Sequence, residues 1–392
     1  MINDIVKRIL LIIFGLLLLG TATVIIVSSL AGKHDDEAFY DSSLFVASVG
    51  DAEATVTEAT KAEPDTEETK VEEATPDTPK YEEVADSSEL IDTDAPVFLI
   101  FQKSVTIKVG SSFDVKEHMG YADDVDRDVD VSLSGSVDTS TVGTYPITVT
   151  LTDDAGHSTS SSMDVTVSDS VSDSSGGGEN TKPTESFSDF ITNYKEDNTV
   201  LGIDVSRWQG TVDYNKVKAA GCDFVIIRIG GLDDGELYTD KCYRDNIRNA
   251  KAAGLKVGIY WHAEEGSTQE VEKSLDYMLN LLDGEELDFP IAYDWEDFMH
   301  FQNYGMNIRD INDCFDTFCK GVEAEGYSAC LYSSINFLEH VWTNDKPHPV
   351  WMANYASKTS YTGDYYMWQH SNTGSIDGIS GAVDFNILYK ED

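Results

Sequence analysis

The stretch Phe289-Pro290-Ile291-Ala292-Tyr293-Asp294-Trp295-Glu296 decides how this chain is read. Its first five residues are apolar, and the run is of strand length. In an extended strand side chains alternate faces, so Asp294 and Glu296 project together from the strand's end. Two carboxylates on one face repel, and burial raises the pKa of at least one of them. One acid then stays protonated near neutral pH beside an ionised neighbour, the condition that cleavage of a glycosidic bond requires. Other acid-x-acid triplets, Asp51-Ala52-Glu53, Asp65-Thr66-Glu67 and Asp283-Gly284-Glu285, lie in polar surroundings. Of these triplets, the copy at Asp294 is the one that follows an apolar strand.

Outward from this stretch, residues 199–392 alternate strand and helix. Strand-like runs cover 201–205, 224–229, 256–261, 290–295, 329–332, 350–353, 365–369 and 383–388. Helical patterns fill 213–220, 241–253, 268–282 and 308–325. Ser267 and Glu270 form a capping-box pattern, and Gly221, Gly254 and Gly326 follow three of the helices as C-caps. Such alternation implies a parallel sheet. Eight strands with about five helices, placed mainly between the early strands, predict an α/β fold, a closed but incomplete β/α barrel.

Reactive groups of such barrels sit at the C-terminal ends of the strands. Those ends carry Asp204, then Tyr260-Trp261-His262, then Asp294 and Glu296, then Tyr332. Trp351 with Asn354 and Tyr355 follows, then Trp368 with Gln369, and Asp384 opens the last strand. Four acids, Glu296, Asp294, Asp204 and Asp384, are the candidate catalytic set. Tyr260, Tyr332, Trp351, Tyr355, Trp368 and Gln369 are the candidate substrate-binding set, because flat rings stack on sugar faces. The same residues admit structural roles: aromatics fill barrel mouths, Asp384 could pair with Arg228 or Arg207, and His262 could be a satisfied core group.

These motifs resemble glycoside hydrolase family 25, lysozymes that cut between N-acetylmuramic acid and N-acetylglucosamine in peptidoglycan. The resemblance is carried by Gly202-Ile203-Asp204-Val205-Ser206 with Gln209-Gly210, Phe224-Val225-Ile226-Ile227-Arg228, Gly258-Ile259-Tyr260 and Asp294-x-Glu296. Leu331-Tyr332, Trp351-x-Ala353-x-Tyr355, Trp368-Gln369 and Asp377-Gly378-Ile379-Ser380-Gly381 with Val383-Asp384-x-Asn386 complete it. It implies a muramidase fold and activity without a cofactor or metal, with Glu296 as general acid, Asp294 as its partner, and Asp204 and Asp384 as supporting acids. Trp295 stands between the paired acids where smaller residues are common, and Trp261-His262 replaces a His-Phe pair, which puts subsite shape in question. For the mechanism we expect substrate assistance, with Asp294 orienting the 2-acetamido group. A retaining carboxylate pair and inversion through a bracketed water remain alternatives.

The rest of the chain sets the context. Its 392 residues have room for two or three domains, and a net charge of −44 leaves nothing to neutralise the phosphates of nucleic acid. Gly-rich phosphate loops, CxxC and HExxH spacings and GxSxG are missing. After a short cytoplasmic N-terminus (1–8) that holds Lys7 and Arg8, residues 9–31 are nearly all apolar. They are long enough to span a bilayer as one transmembrane helix, with the basic flank inside. A cleaved signal peptide ending at Ser29-Leu30-Ala31 is the competing reading. From His34 to Asp94 there are 20 acids against three lysines, so 32–94 is expected to be an acidic disordered linker.

Residues 95–168 show short alternating strands with regular turns. They resemble bacterial immunoglobulin-like repeats and predict a small β-sandwich, expected to act as a spacer. Asp124, Asp126, Asp128 and Asp130 alternate there, but the glycine and terminal Glu of a calcium loop are missing, so a solvated acidic loop is expected. Residues 169–198 form a Ser/Gly-rich linker in which Phe187, Phe190 and Tyr194 could pack onto the domain after it. The five cysteines form no dense disulfide framework. The expectation is a membrane-tethered, extracytoplasmic hydrolase of peptidoglycan glycan strands on a bacterial cell surface, with a role in wall remodelling and no protein partner named by the sequence. A catalytically silent glycan-binding or adhesion protein on a stalk is the alternative.

Overall fold

The computed structural model describes residues 92–170, 183–343 and 348–390. The expected cytoplasmic segment, the span over 9–31, nearly all of the acidic linker and the centre of the second linker lie outside the described residues. Among those residues no helix is long and apolar enough to cross a membrane.

The first module holds β1 (Val97–Phe101), β2 (Ser104–Lys108), β3 (Met119–Ala122), β4 (Asp130–Ser134), β5 (Gly143–Thr152) and β6 (Ser158–Ser168). One sheet runs β2-β6-β5-β4, and β1 pairs with β3 as a separate antiparallel ribbon. Alternation along β5 and β6 buries Ile147, Val149, Leu151, Met163 and Val165 under the ribbon residues Met119 and Tyr121. The outward face is lined by Thr–Ser and Thr–Thr hydroxyl pairs.

A two-residue strand β7 (Glu185–Ser186) and helix α1 (Phe187–Tyr194) come next. Here the structure corrects the expected linker over 169–198. The hydroxyl of Ser186 accepts the Asp189 N–H at 3.2 Å to cap α1, and β7 adds to the barrel sheet beside Gly374. Phe187, Phe190 and Tyr194 recur at helical spacing, and the first two are buried against Phe385.

The barrel strands are β8 (Thr199–Val205), β9 (Phe224–Asp233), β11 (Lys256–Ala263), β12 (Ile291–Trp295), β13 (Ala329–Ser334), β14 (Val350–Ala353), β15 (Met367–Ser375) and β16 (Val383–Tyr389), with β10 (Glu236–Thr239) as a hairpin arm on β9. Parallel pairing runs from β8 through β15. The last strand, β16, is antiparallel to both β15 and β8, and this pairing closes the ring. Helices α2 (Tyr214–Ala219), α3 (Tyr243–Ala252), α4 (Thr268–Leu282) and α5 (Ile308–Ala324) cross between the early strands, and α6 (Ile335–His340) follows β13. The expected Ser267 cap forms, but Glu270 returns its bond to the N–H of Gly266. A reciprocal box forms instead at α5, between Asn307 and Asp310.

Alternation divides the barrel's side chains into two cores. Phe224, Ile226, Tyr260, Ala292, Tyr332 and Trp351 fill the interior. Tyr293 and Trp295 take the outer layer, where Tyr293 meets Phe315 and Phe318, and Trp295 meets Phe298, Phe301 and Tyr304. All five cysteines are free thiols, and four of them are buried.

The first module is packed onto the barrel, where the sequence suggested a spacer. Leu99 and Ala122 join the barrel's outer core. Gly120 of β3 lies so close that a Cβ there would sit 1.7 Å from the carbonyl oxygen of Phe298. Arg127 makes a two-pronged bond to Asp310 at 2.6 and 2.8 Å, and Asn336 of α6 donates to the Leu99 carbonyl. The contact falls on the segments that directly follow β12 and β13, beside the mouth of the barrel.

Candidate active site

Strand register assembles the mouth. His262 lies opposite Asp294, Asp294 opposite Tyr332, and Tyr332 opposite Trp351. On the other side Gln369 pairs with Asn386, and Asp384 with Asp204. Residues at opposite ends of the domain's sequence thus share one rim because their strands are neighbours.

Asp204, 5% exposed, accepts N–H groups from Gln369 Nε2 at 3.0 Å and Asn386 Nδ2 at 2.7 Å. The Gln369 Oε1 accepts the hydroxyls of Tyr332 at 2.8 Å and Tyr355 at 2.9 Å. Asn386 Oδ1 accepts the Trp351 indole N–H at 2.8 Å. Each amide oxygen faces donors and each amide nitrogen faces the carboxylate, which fixes both amide orientations. Desolvation holds the Tyr332 phenol well above its ordinary pKa, reinforced by Tyr355, Glu296, Asp294 and Asp204. Tyr355 is held up in the same way by desolvation, then Asp384, Glu296 and Asp204. The four predicted acids therefore act on one pair of phenols, and both phenols remain donors.

On β12, Ala292 faces inward and Trp295 outward, so Asp294 lies on the inner face with Glu296 just beyond the strand end. Trp295 is locked by its outer packing and by its indole N–H on the Glu265 carbonyl. The following turn is braced as well: the Phe298 N–H donates to the Glu296 carbonyl at 2.7 Å, and Asp297 accepts from His300 Nδ1 at 2.8 Å and Tyr304 at 3.0 Å. The bond to Asp297 raises the pKa of His300.

The candidate sugar-binding rings divide. Tyr260, Tyr332 and Trp351 are nearly inaccessible and meet edge to face, at 6.2 Å for Tyr260–Trp351 and 4.6 Å for Tyr332–Trp351; they form the floor of the mouth. Trp368 is not brought to this cluster. Its neighbours Met367 and Gln369 face inward, so alternation turns it out to pack near Tyr194 and His370, with its indole N–H on the Asn354 carbonyl. Tyr355 is 39% exposed, and so offers a ring to solvent.

Sequence reading passed over Trp208, which is 50% exposed in the turn Arg207–Gln209 just after Asp204. The Arg207 guanidinium lies 5.0 Å from its ring centre. Its position at a strand end was the available signal. Two buried acids, Asp240 and Glu265, were also missed, and Arg228 was weighed as a partner of Asp384 rather than of Asp240. Arg228, fully buried, pairs with Asp240 at 3.3 Å, and Asp240 also accepts the backbone N–H groups of Arg207 and Cys242. Glu265, fully buried, accepts from Trp261 and Tyr293 and ties β11 to β12. No local spacing marks these pairings. Burial, with Arg228 and Arg207 adding to it, lowers the His262 pKa to about 3, so its ring is neutral beside the acids.

A closed barrel with carboxylates gathered at the C-terminal mouth is an arrangement suited to cleaving glycosidic bonds. Residues 203–379 match the sequence model of glycosyl hydrolases family 25, and residues 101–167 match that of the Ig-like domain of bacterial surface proteins. Two separate segments of the chain are thus similar to a family 25 lysozyme and to a bacterial Ig-like domain. It is 34% identical over 188 residues to an autolytic lysozyme of Clostridium acetobutylicum, covering 47% of this chain and 54% of the relative. It is 28% identical over 200 residues to lysozyme M1 of Streptomyces globisporus, covering 48% and 67%. A match to the uncharacterized protein YegX of Escherichia coli (strain K12) is 26% identical over 196 residues, covering 48% and 70%. The chain spans about half the length of the clostridial relative.

Proposed function

We propose that this protein is a peptidoglycan hydrolase that cleaves the β-1,4 bond between N-acetylmuramic acid and N-acetylglucosamine. The observation that carries the reading is the mouth itself: strand register sets Asp294 beside Tyr332 and Asp384 beside Asp204 on one rim, with Glu296 just beyond Asp294, in a segment similar to a lysozyme family. Glu296, partly accessible beyond the strand end, gives its proton to the glycosidic oxygen as the bond to the anomeric carbon breaks. Asp294 orients the 2-acetamido group, whose oxygen bonds to that carbon from the opposite face. Water then opens the cyclic intermediate, losing its proton to Glu296, so the product keeps the starting configuration. Asp204, held by Gln369 and Asn386, keeps the floor of the site in register, and Trp208 and Tyr355 offer exposed rings to sugar faces. The apolar run over 9–31 supports a membrane tether with the N-terminus inside and the domains outside, suited to remodelling the producing cell's own wall.

The test is clearance of purified cell walls by the full chain, with mass spectrometry and anomer analysis of the fragments. Muramic acid at the new reducing ends with retained configuration is expected. Release of fragments ending in another sugar would overturn the substrate assignment, and an initially inverted anomer would overturn the mechanism. Binding without clearance would favour a silent adhesin.

A further inference from the structure

Where the Ig-like domain meets the barrel, carboxylates crowd together with few donors. Asp123 is 1% exposed. Its Oδ1 accepts the N–H groups of Val125 at 2.8 Å and Asp126 at 2.7 Å, while its buried Oδ2 has no hydrogen-bond donor from the protein. Both oxygens of Asp92 and the Oδ1 of Asp124 are in the same condition. One oxygen from each of Asp92, Asp123 and Asp124 lies within 4.8 Å of the others. Two ligand oxygens on one calcium ion, each about 2.3–2.6 Å from it, are separated by no more than about 5 Å. Asp153, its side chain fully buried, groups in the same way with Asp92 and His157, and accepts from His157 Nδ1 at 3.1 Å.

Four carboxylates here face one guanidinium, Arg309, whose Nη2 is 3.7 Å from Asp124, and one imidazole. Desolvation, then repulsion from Asp123 and Asp153, pushes Asp92 above the ordinary carboxylate range; desolvation and Asp123 do the same to Asp124. Burying carboxylates short of partners is costly unless a cation or donors complete the set. The alternating ladder visible in the sequence does not build this cluster: Asp126 turns to the N–H of Asp154, and Asp130 opens β4.

We propose that Asp92, Asp123 and Asp124 form a calcium site at the junction of the two domains, with Asp153 facing it. The donors are carboxylate oxygens from separate segments, an irregular and hard set that suits calcium better than octahedral magnesium. Zinc sites are built mainly from Cys and His ligands, whereas Asp92, Asp123 and Asp124 offer carboxylate oxygens alone. The ion would join the last acids of the linker to the loop that sits over the start of α5. In that loop the carbonyls of Asp123, Asp124 and Val125 accept from the Ile308 N–H, Arg309 Nε and Asn307 Nδ2. Calcium would thereby fasten the Ig-like domain beside the mouth. The site stands whether or not the barrel is a hydrolase.

The test is calorimetric titration of the full chain, stripped with EGTA, with calcium chloride, alongside thermal unfolding with and without calcium. One saturable site with Kd of about 10⁻⁴–10⁻³ M is expected, together with a calcium-dependent rise in Tm. Asp92→Asn removes charge without breaking a hydrogen bond of the protein. It should raise Tm in EGTA, abolish the calcium-dependent rise, and weaken binding by about tenfold or more. Asp123→Asn should weaken binding likewise, whereas Asp65→Asn with Glu67→Gln in the linker should leave it intact. Absence of a saturable site overturns the proposal, as does an Asp92→Asn gain in Tm of equal size with and without calcium. Loss of the site in the linker variant would move it off the junction, and tighter saturation by magnesium or zinc would overturn the choice of ion.

Discussion

At the barrel mouth Asp204 receives amide donors from Gln369 and Asn386, whereas at the domain junction both oxygens of Asp92 receive none. Both places gather acids from distant segments into sheltered surroundings. At the mouth the chain supplies the compensation itself, as a relay from Tyr332, Tyr355 and Trp351 through two amides to Asp204. At the junction Arg309 and His157 answer four carboxylates, with backbone N–H groups on Asp123 and Asp153 beside them. An acid supplied with donors is held in one geometry and is ready for chemistry. A cluster short of donors is suited to a cation from outside.

The largest effect expected of this contrast is on the chemistry. Glu296→Gln should lower wall clearance by about 10²–10⁴-fold, the usual worth of a positioned acid, with Tm and calcium uptake unchanged. Near-normal clearance would remove Glu296 from its role. Asn386→Ala would make the mouth resemble the junction, removing one of the side-chain donors of Asp204 and the acceptor of the Trp351 indole. A loss of about 2–3 kcal/mol in urea unfolding is expected, and an unchanged midpoint would show that the relay is not what holds Asp204.

Gly120→Ala separates the two regions. The added methyl meets the Phe298 backbone and should cost about 1–3 kcal/mol, with faster proteolysis of the 297–304 turn and a smaller loss of activity. Unchanged proteolysis would mean the docking does not brace that turn. The smallest effect concerns His262, which titrates near pH 3 when folded against an ordinary 6.5. Between these values the unfolded chain binds the extra proton. Stability from this group therefore rises with pH across the window and is lost on acidification below about 6.5, by at most about 1.4 kcal/mol per pH unit. His262→Gln should flatten this part of the stability profile between about pH 6.5 and 5; an unaltered slope would assign it to the carboxylates.

The strand runs, four of the helices and the acids of the mouth were legible because their signals are local. Alternation marked β12, glycines marked the helix ends, and Asp204, Asp294, Glu296 and Asp384 stand at strand ends. Local signals misled where a face had to be chosen. Trp368 read as a mouth residue, but the neighbouring strands fix its register outward. Phe187, Phe190 and Tyr194 were expected to pack onto the barrel and do so, but the helix that carries them, Phe187–Tyr194, lay inside the expected linker because it is short and is held by the distant Phe385.

By itself the sequence determined the alternation of strand and helix, the order of the motifs and the carboxylates that end the fourth strand, since each rests on spacings within a few residues. Only the tertiary structure decided which acids are supplied with donors, that Arg228 belongs to Asp240, and that the Ig-like domain is seated on the barrel rather than strung before it. Those outcomes depend on which segments become neighbours when the ring closes, with β16 running against both β15 and β8. That closure is a property of all eight strands together, and no single stretch encodes it.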